Sequence, residues 1–229
     1  MTIELKRRII TAFVLSLIIY FCIFINLKIS LIALIIISLL SWFEFTKLTN
    51  KIYRGKNKMI SNAILFLSAL YFIIFAGTAY YIIAIDKIYF FYILLICVFS
   101  DIGGYIFGKV LKGKKLTKIS PNKTISGSYG SFLFALVPYF IFKLIFQYTR
   151  LEFLSFLDSI LLNVLMCLYL SLICQLGDLF ISYFKRKAKV KDTGRILPGH
   201  GGLLDRIDGI IFAIPSLALL GYLLEILAY

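Results

Sequence analysis

The chain has 229 residues, 61% of them hydrophobic and only 16% charged, against roughly 25% charged in an ordinary soluble domain. With a mean hydropathy of +0.96 spread over apolar runs along the whole length, the side chains exceed what a soluble core of this size could bury, and the composition reads as a polytopic membrane protein. The net charge of +14 is then read as topology and as a phosphate-facing surface, with no nucleic acid expected as a partner.

The N-terminal Lys6-Arg7-Arg8 and the apolar stretch from Ile9 have the outline of a signal peptide, but no small-residue cleavage site follows, so a retained first helix is expected. At about 20 apolar residues per span, the predicted crossings are 9–26, 29–46, 60–85, 88–108, 129–148, 153–180 and 209–228. The third and sixth are long enough to tilt, break or run on as ordinary helix, which leaves eight or nine spans as alternatives to seven. Cys22, Cys97, Cys167 and Cys174 all lie inside apolar runs without C-x-x-C spacing, and read as small core side chains rather than as a disulfide framework or a zinc site.

Charge distribution favours seven spans. With the N-terminus inside, every Lys and Arg except Lys28, Lys87, Lys143 and Arg150 falls on one side, and the opposite connections are short and nearly neutral, as the positive-inside rule requires. The prediction is an all-α membrane helix bundle, N-in and C-out, multi-pass in the cell (inner) membrane. Residues 1–87 supply helices with little motif content, and 88–229 form a catalytic region with cytoplasmic loops at 109–124 and 182–208, the whole being one integral membrane domain. Topology and attraction to anionic headgroups account for the basic loop around Lys47–Lys58. They do not account for the other two loops, which are dense in Gly, Pro and Asp.

The C-terminal loop carries the strongest pattern. Asp178 sits near the cytoplasmic end of an apolar helix, where an unpaired carboxylate would be costly and needs a cation. Asp205 and Asp208 are spaced i, i+3 and would share a face if the last helix starts near them. Hard carboxylate oxygens, without Cys among the candidate ligands and with a single His in the chain, argue for Mg²⁺ or a similar ion and against zinc. Between these acids, Pro198-Gly199-His200-Gly201-Gly202 would let the backbone approach an anion and offer its N–H groups as a nest. Lys185, Arg186, Lys191, Arg195 and Arg206 can pair phosphate oxygens. Metal, nest and basic fork together describe a polyphosphate site. Upstream, Asp101 lies within an apolar segment beside Gly103-Gly104 and Gly108; an intramembrane acid is a functional candidate, and G-x-x-x-G also brings helices close. The stretch Gly108 to Lys115 has Lys115 where a Walker A loop needs Ser or Thr, and it follows a membrane span rather than a strand, so a P-loop is rejected.

The run from Ser182 to Asp208, S-x-x-K-R-x4-K-D-x5-P-G-H-G-G-x-x-D-R-x-D, resembles the signature of the phosphatidate cytidylyltransferase (CDP-diacylglycerol synthase) family. Asp101-Ile-Gly-Gly-Tyr105-x-x-Gly108 and Ser120-Pro121-Asn-Lys123-Thr124 resemble that family's other cytoplasmic-side motifs. The resemblance covers the chain from about Ser100 onward; before residue 88 there is hydropathy alone, with Glu44 in Trp42-Phe-Glu-Phe a weak echo. It departs from the family's pattern at Asn122, at Ile125-Ser126 and at Gly209. What the resemblance implies is a homodimeric enzyme joining phosphatidate, a membrane lipid, to CTP, giving CDP-diacylglycerol and pyrophosphate, with Mg²⁺ and K⁺ as candidate ions.

On these two grounds, the candidate metal ligands are Asp178, Asp205 and Asp208, with Asp101 as a further possibility among the substrate contacts. Lys185, Arg186, Lys191, Asp192, His200 and Arg206 form the candidate catalytic set. The remaining substrate contacts are Tyr105, Ser120, Pro121, Lys123, Thr124, Ser182, Pro198, Gly199, Gly201 and Gly202. A phosphate monoester is already largely dianionic near neutrality, its second pKa being about 6, so no strong general base is required. Two alternatives stay open: a CTP-dependent transferase or kinase acting on an isoprenoid or ether lipid, and a transporter of an anionic solute.

Overall fold

The computed structural model describes residues 14, 16–54, 57–117, 119–146, 159–196 and 201–227. They form helices α1 (16–24), α2 (Leu27–Tyr53), α3 (Lys58–Ile85), α4 (Lys87–Val110), α5 (Ile125–Ala135), α6 (Val137–Phe146), α7 (Ile160–Lys187), α8 (Leu204–Ile207) and α9 (Ile210–Leu227). An isolated bridge between Lys115 and Thr124 is the one extended pairing found among the described residues. Among the described residues five helices are long and apolar enough to cross a membrane, with α5 and α6 taken together as one over Ile125–Ile145 and α9 a shorter apolar helix.

Helix starts follow local capping chemistry. Asn26 accepts from Lys28 N at 2.9 Å and Asp86 from Ile88 N at 2.7 Å, while Thr124 and Ser159 cap α5 and α7; each satisfies N–H groups that a helix N-terminus leaves orphaned. The ends differ from the sequence-based expectation. Helix α2 runs on to Tyr53, so Lys47 and Lys51 sit on helix rather than in a loop. Helix α7 runs to Lys187, so Ser182, Lys185 and Arg186 are helical and the loop begins only at Ala188. Neither stretch contains Gly or Pro, and cations in a last turn are favoured by the helix dipole, so nothing stops the helix at the membrane boundary.

Helix α4 is the hub. Tyr92, Ile93, Ile96 and Cys97 are fully buried, and α4 packs against α3, α5, α6, α7 and α9. Its contact with α5 is backbone-close: a Cβ on Gly103 would collide with the Gly130 carbonyl, and one on Gly130 would lie 2.6 Å from the Gly103 carbonyl. Small residues are what permit such an approach where hydrophobic driving force between helices is absent. The expected G-x-x-x-G face is therefore real but wider, recruiting Gly103, Gly127 and Gly130.

Proline shapes two apolar segments. Pro138 divides α5 from α6 without ending the crossing. Pro215 lies inside α9 and has no N–H for the carbonyl four residues back, Ile211. The Tyr71 hydroxyl donates to that carbonyl at 3.0 Å, which removes an unsatisfied group from an apolar environment.

Candidate active site

Two loops meet at one end of the bundle. The first, between α4 and α5, turns through Lys112 and Gly113, both at positive φ. It is closed by Leu116 N to the Lys123 carbonyl at 2.8 Å and by Ile125 N to the Lys114 carbonyl at 3.0 Å. Ser126 also donates to the Lys112 carbonyl. This frame delivers Lys123 to Asp178 on α7, Nζ to Oδ2 2.5 Å, and Ser182 donates to the other oxygen of Asp178 at 3.2 Å.

Around that ion pair lies a cavity of about 320 Å³ lined by Asp101, Tyr105, Ser120, Lys123, Thr124, Ser128, Gln175 and Asp178 among others. Five of the residues expected from the upstream motifs thus converge on Asp178. Pro121 does not; it faces a neighbouring groove with Ile119, Tyr183, Arg186 and Lys187. Asp101 and Asp178 each lie nine residues before the end of their helices, which at 1.5 Å per residue places them ~13 Å below the helix ends.

Asp208 joins them from the α8–α9 junction. It is buried, accepts from Gly209 N at 3.0 Å, and shares a hydrogen bond with Asp178. Burial first, and then the Asp178 and Asp101 carboxylates, hold its carboxyl well above the usual carboxylate range, with Lys185 acting in the other direction. Asp101 in turn lies within electrostatic reach of Asp178, Lys123 and Arg206. Three acids from three segments therefore crowd one place.

The second loop is organised differently. Lys185 Nζ meets Asp205 Oδ1 at 2.8 Å, and Asp205 Oδ2 accepts from Thr193 N at 2.8 Å, Thr193 Oγ1 at 3.0 Å and Gly202 N at 3.1 Å. Gly201, at φ +84°, makes this turn, and a Cβ there would sit 3.2 Å from Asp205 Oδ2. Glu44 of α2, fully buried, accepts from Leu203 N, Leu204 N and Thr193 Oγ1.

Three expectations change accordingly. The N–H groups of Gly202, Leu203 and Leu204 point inward to Asp205 and Glu44, so this part of the glycine loop is filled by the protein's own carboxylates rather than left as an open anion nest. Asp205 and Asp208 do not share a face of the last helix, because α8 ends at Ile207 and α9 begins at Ile210; each takes separate partners. Lys185, expected to pair phosphate oxygens, is buried in an ion pair with Asp205. Lys191 and Asp192 line a separate surface pocket with Lys47, Gly194 and Arg195. Pro198, Gly199 and His200 lie outside the described residues.

Among the described residues no three His, Cys, Asp or Glu side chains already meet as a cation cage. The donor chemistry of Asp101, Asp178 and Asp208, three hard carboxylates with one shared charge burden, nonetheless fits Mg²⁺. Sequence reasoning passed over Ser128 and Thr193 and gave Glu44 little weight. Glu44 had a signal, since an acid inside an apolar helix is a functional candidate in its own right; the other two are ordinary hydroxyls whose partners only folding brings near.

Residues 55–224 match the family model described as the cytidylyltransferase family. The chain belongs to this family. Over 133 residues it is 45% identical to a phosphatidate cytidylyltransferase of Staphylococcus haemolyticus (strain JCSC1435) and 46% identical to one of Staphylococcus aureus (strain COL). A protein of the same name from Staphylococcus epidermidis (strain ATCC 12228 / FDA PCI 1200) is 42% identical over the same length. Each comparison covers 58% of this chain and 48% of the relative, so the chain spans about half the length of the curated relatives it matches. The family match takes in both loops and all of α4 to α8, whereas Glu44 precedes it.

Proposed function

We propose that this protein condenses phosphatidate with CTP, yielding CDP-diacylglycerol and pyrophosphate in phospholipid synthesis. The observation that carries this is the Lys123–Asp178 cavity, where acids and a cation from α4, α7 and the α4–α5 loop meet below the ends of apolar helices. A lipid phosphate held at that depth keeps its acyl chains among the helices' apolar surroundings while CTP enters from the water side.

In the reaction a phosphatidate oxygen forms a bond to the α-phosphorus of CTP, and the bond from that phosphorus to the departing pyrophosphate breaks, the electron pair leaving with pyrophosphate. Both substrates are anions, so the site's work is to neutralise charge and hold the reactants in line. Lys123 can exchange the Asp178 carboxylate for a substrate phosphate, because the pair is partly solvated. Arg186, beside Pro121, and Arg206, near Asp101, would be the further cations to receive phosphate oxygens. Asp178, Asp208 and Asp101 would hold Mg²⁺, which when bound supplies neutralisation of the triphosphate and of the leaving group. We assign no residues to K⁺.

The topology belongs to the same proposal. Helices α2, α4 and α7 end at the face bearing the two loops, and α3, α5 and α9 begin there. That alternation fits seven spans, and the basic residues gathered at this face favour N-in and C-out with the site toward the cytoplasm; the cell membrane as the location and a homodimer as the working form are further parts of the proposal. The test is transfer of radiolabel from [α-³²P]CTP into the lipid phase by purified protein in detergent, with equimolar pyrophosphate release on phosphatidate. Transfer to an isoprenoid or ether-lipid phosphate in preference to phosphatidate would reassign the acceptor. Intact CTP with every acceptor would overturn the enzyme assignment.

A further inference from the structure

The carboxylate of Glu44 has a setting that neither the family match nor the proposed reaction explains. It is 1% exposed on a helix long and apolar enough to cross a membrane, where a charge is costly unless it is well satisfied. Three donors from one loop converge on it: Leu203 N to Oε1 at 3.1 Å, Leu204 N to Oε2 at 2.8 Å, and Thr193 Oγ1 to Oε2 at 2.9 Å. The loop closes over it where it lacks side chains. A Cβ on Gly194 would collide with Oε1, and one on Gly202 would lie 2.5 Å from Oε2.

We propose that Glu44 is a positioning residue of the transfer site, latching Thr193 and the start of α8 to α2 so that α8 delivers Asp205 and Asp208 to their places. The route is short and continuous. The Thr193 hydroxyl lies between Glu44 Oε2 and Asp205 Oδ2, at 2.9 and 3.0 Å. Asp205 continues to Lys185 at 2.8 Å. The N–H groups that Glu44 takes are those at the start of α8, whose C-terminal cap is Asp208, the acid that shares a hydrogen bond with Asp178. Charge-assisted bonds to buried N–H groups are strong and directional, so the latch sets where α8 begins, and through four residues of helix where Asp208 stands.

This rests on the phosphatidate reading for its activity arm, so the experiment carries a second arm that does not. Glu44→Gln keeps size but puts an NH₂ where donors already point. Thr193→Val removes the hydroxyl and Thr193→Ser keeps it. In the purified chain, Glu44→Gln and Thr193→Val should each raise hydrogen exchange in the peptide covering 201–205. Each should also lower turnover at saturating CTP and phosphatidate by about tenfold to a hundredfold, the scale of an ångström-sized misplacement. Thr193→Ser should restore both, and the double variant should lose little more than the worse single one, because the two side chains act as one unit. Unchanged exchange in Thr193→Val overturns the latch, as does additive loss in the double variant. If Glu44→Gln fails to accumulate, the Thr193 pair decides alone. A wild-type chain without CTP-dependent turnover overturns the functional reading instead, and the exchange arm still judges the latch.

Discussion

Two Lys–Asp pairs, both within the polar end of the bundle, have opposite characters. Lys123–Asp178 joins a loop to α7, and its side chains are 24% and 31% exposed at the edge of a cavity. Lys185–Asp205 has side chains 11% and 7% exposed, with Asp205's second oxygen taken up by Thr193 and Gly202. A partly solvated pair is worth little to stability and is easily exchanged for another anion; a buried one is costly to break because the surviving charge has no water. Under the proposed reaction the first pair is therefore the one open to a substrate phosphate, and the second holds the loop beside it.

Removing one partner from each pair separates these roles most sharply. Asp205→Ala strands Lys185 and orphans two N–H groups, and should lower stability by about 3–5 kcal/mol, read as a fall in detergent-solubilised Tm and in membrane accumulation. Asp178→Asn should instead leave the protein folded, since it relieves crowding with Asp208 and Asp101, while turnover falls by on the order of a hundredfold or more, several kcal/mol in the barrier. Wild-type rates for Asp178→Asn at saturating Mg²⁺ would remove this acid from the reaction. If Asp205→Ala were as stable as wild type but inactive, the buried pair would belong to catalysis rather than to scaffolding.

Smaller effects probe what holds the cavity wall. Gly130→Ala forces α4 and α5 apart at Phe107 and the Gly103 carbonyl, an overpacking expected to cost about 1–3 kcal/mol, measured by thermal unfolding in a fixed detergent. Lys123→Gln should change stability by less than about 1 kcal/mol yet reduce activity, with the larger part of the loss in KM if the side chain binds ground-state phosphate. Lys51→Gln, on the last turn of α2, should have the least effect of all, at most about 1 kcal/mol of membrane-surface attraction. Equal activity losses in Lys51→Gln and Lys123→Gln would erase the distinction between topological and substrate-facing cations.

Much of the site was legible before folding. Asp178 and Asp101 stand out because acids in apolar helices need partners, Lys123 only through the resemblance of its Ser120–Thr124 stretch, and the structure brings all three to one cavity. Lys185 and Asp205 also stand out, but their patterning cannot say whether charges twenty residues apart will meet each other or a ligand. The glycine-rich segment invites an anion, and only the path of α2 shows that the N–H groups of Leu203 and Leu204 already have one, in Glu44.

Composition and the length of the apolar runs alone determine an all-helical chain with several membrane-length helices, because burying apolar area depends on residue type and local order. Capping chemistry at Asn26, Asp86, Thr124 and Ser159 is likewise local. Tertiary structure decides where helices stop, which acids converge, and which ion pair is buried, since desolvation depends on neighbours brought in from other segments. Thus the Tyr71 hydroxyl answers a carbonyl freed by Pro215, 144 positions along the chain, and Glu44 answers N–H groups some 160 positions away; no sequence window contains either pair.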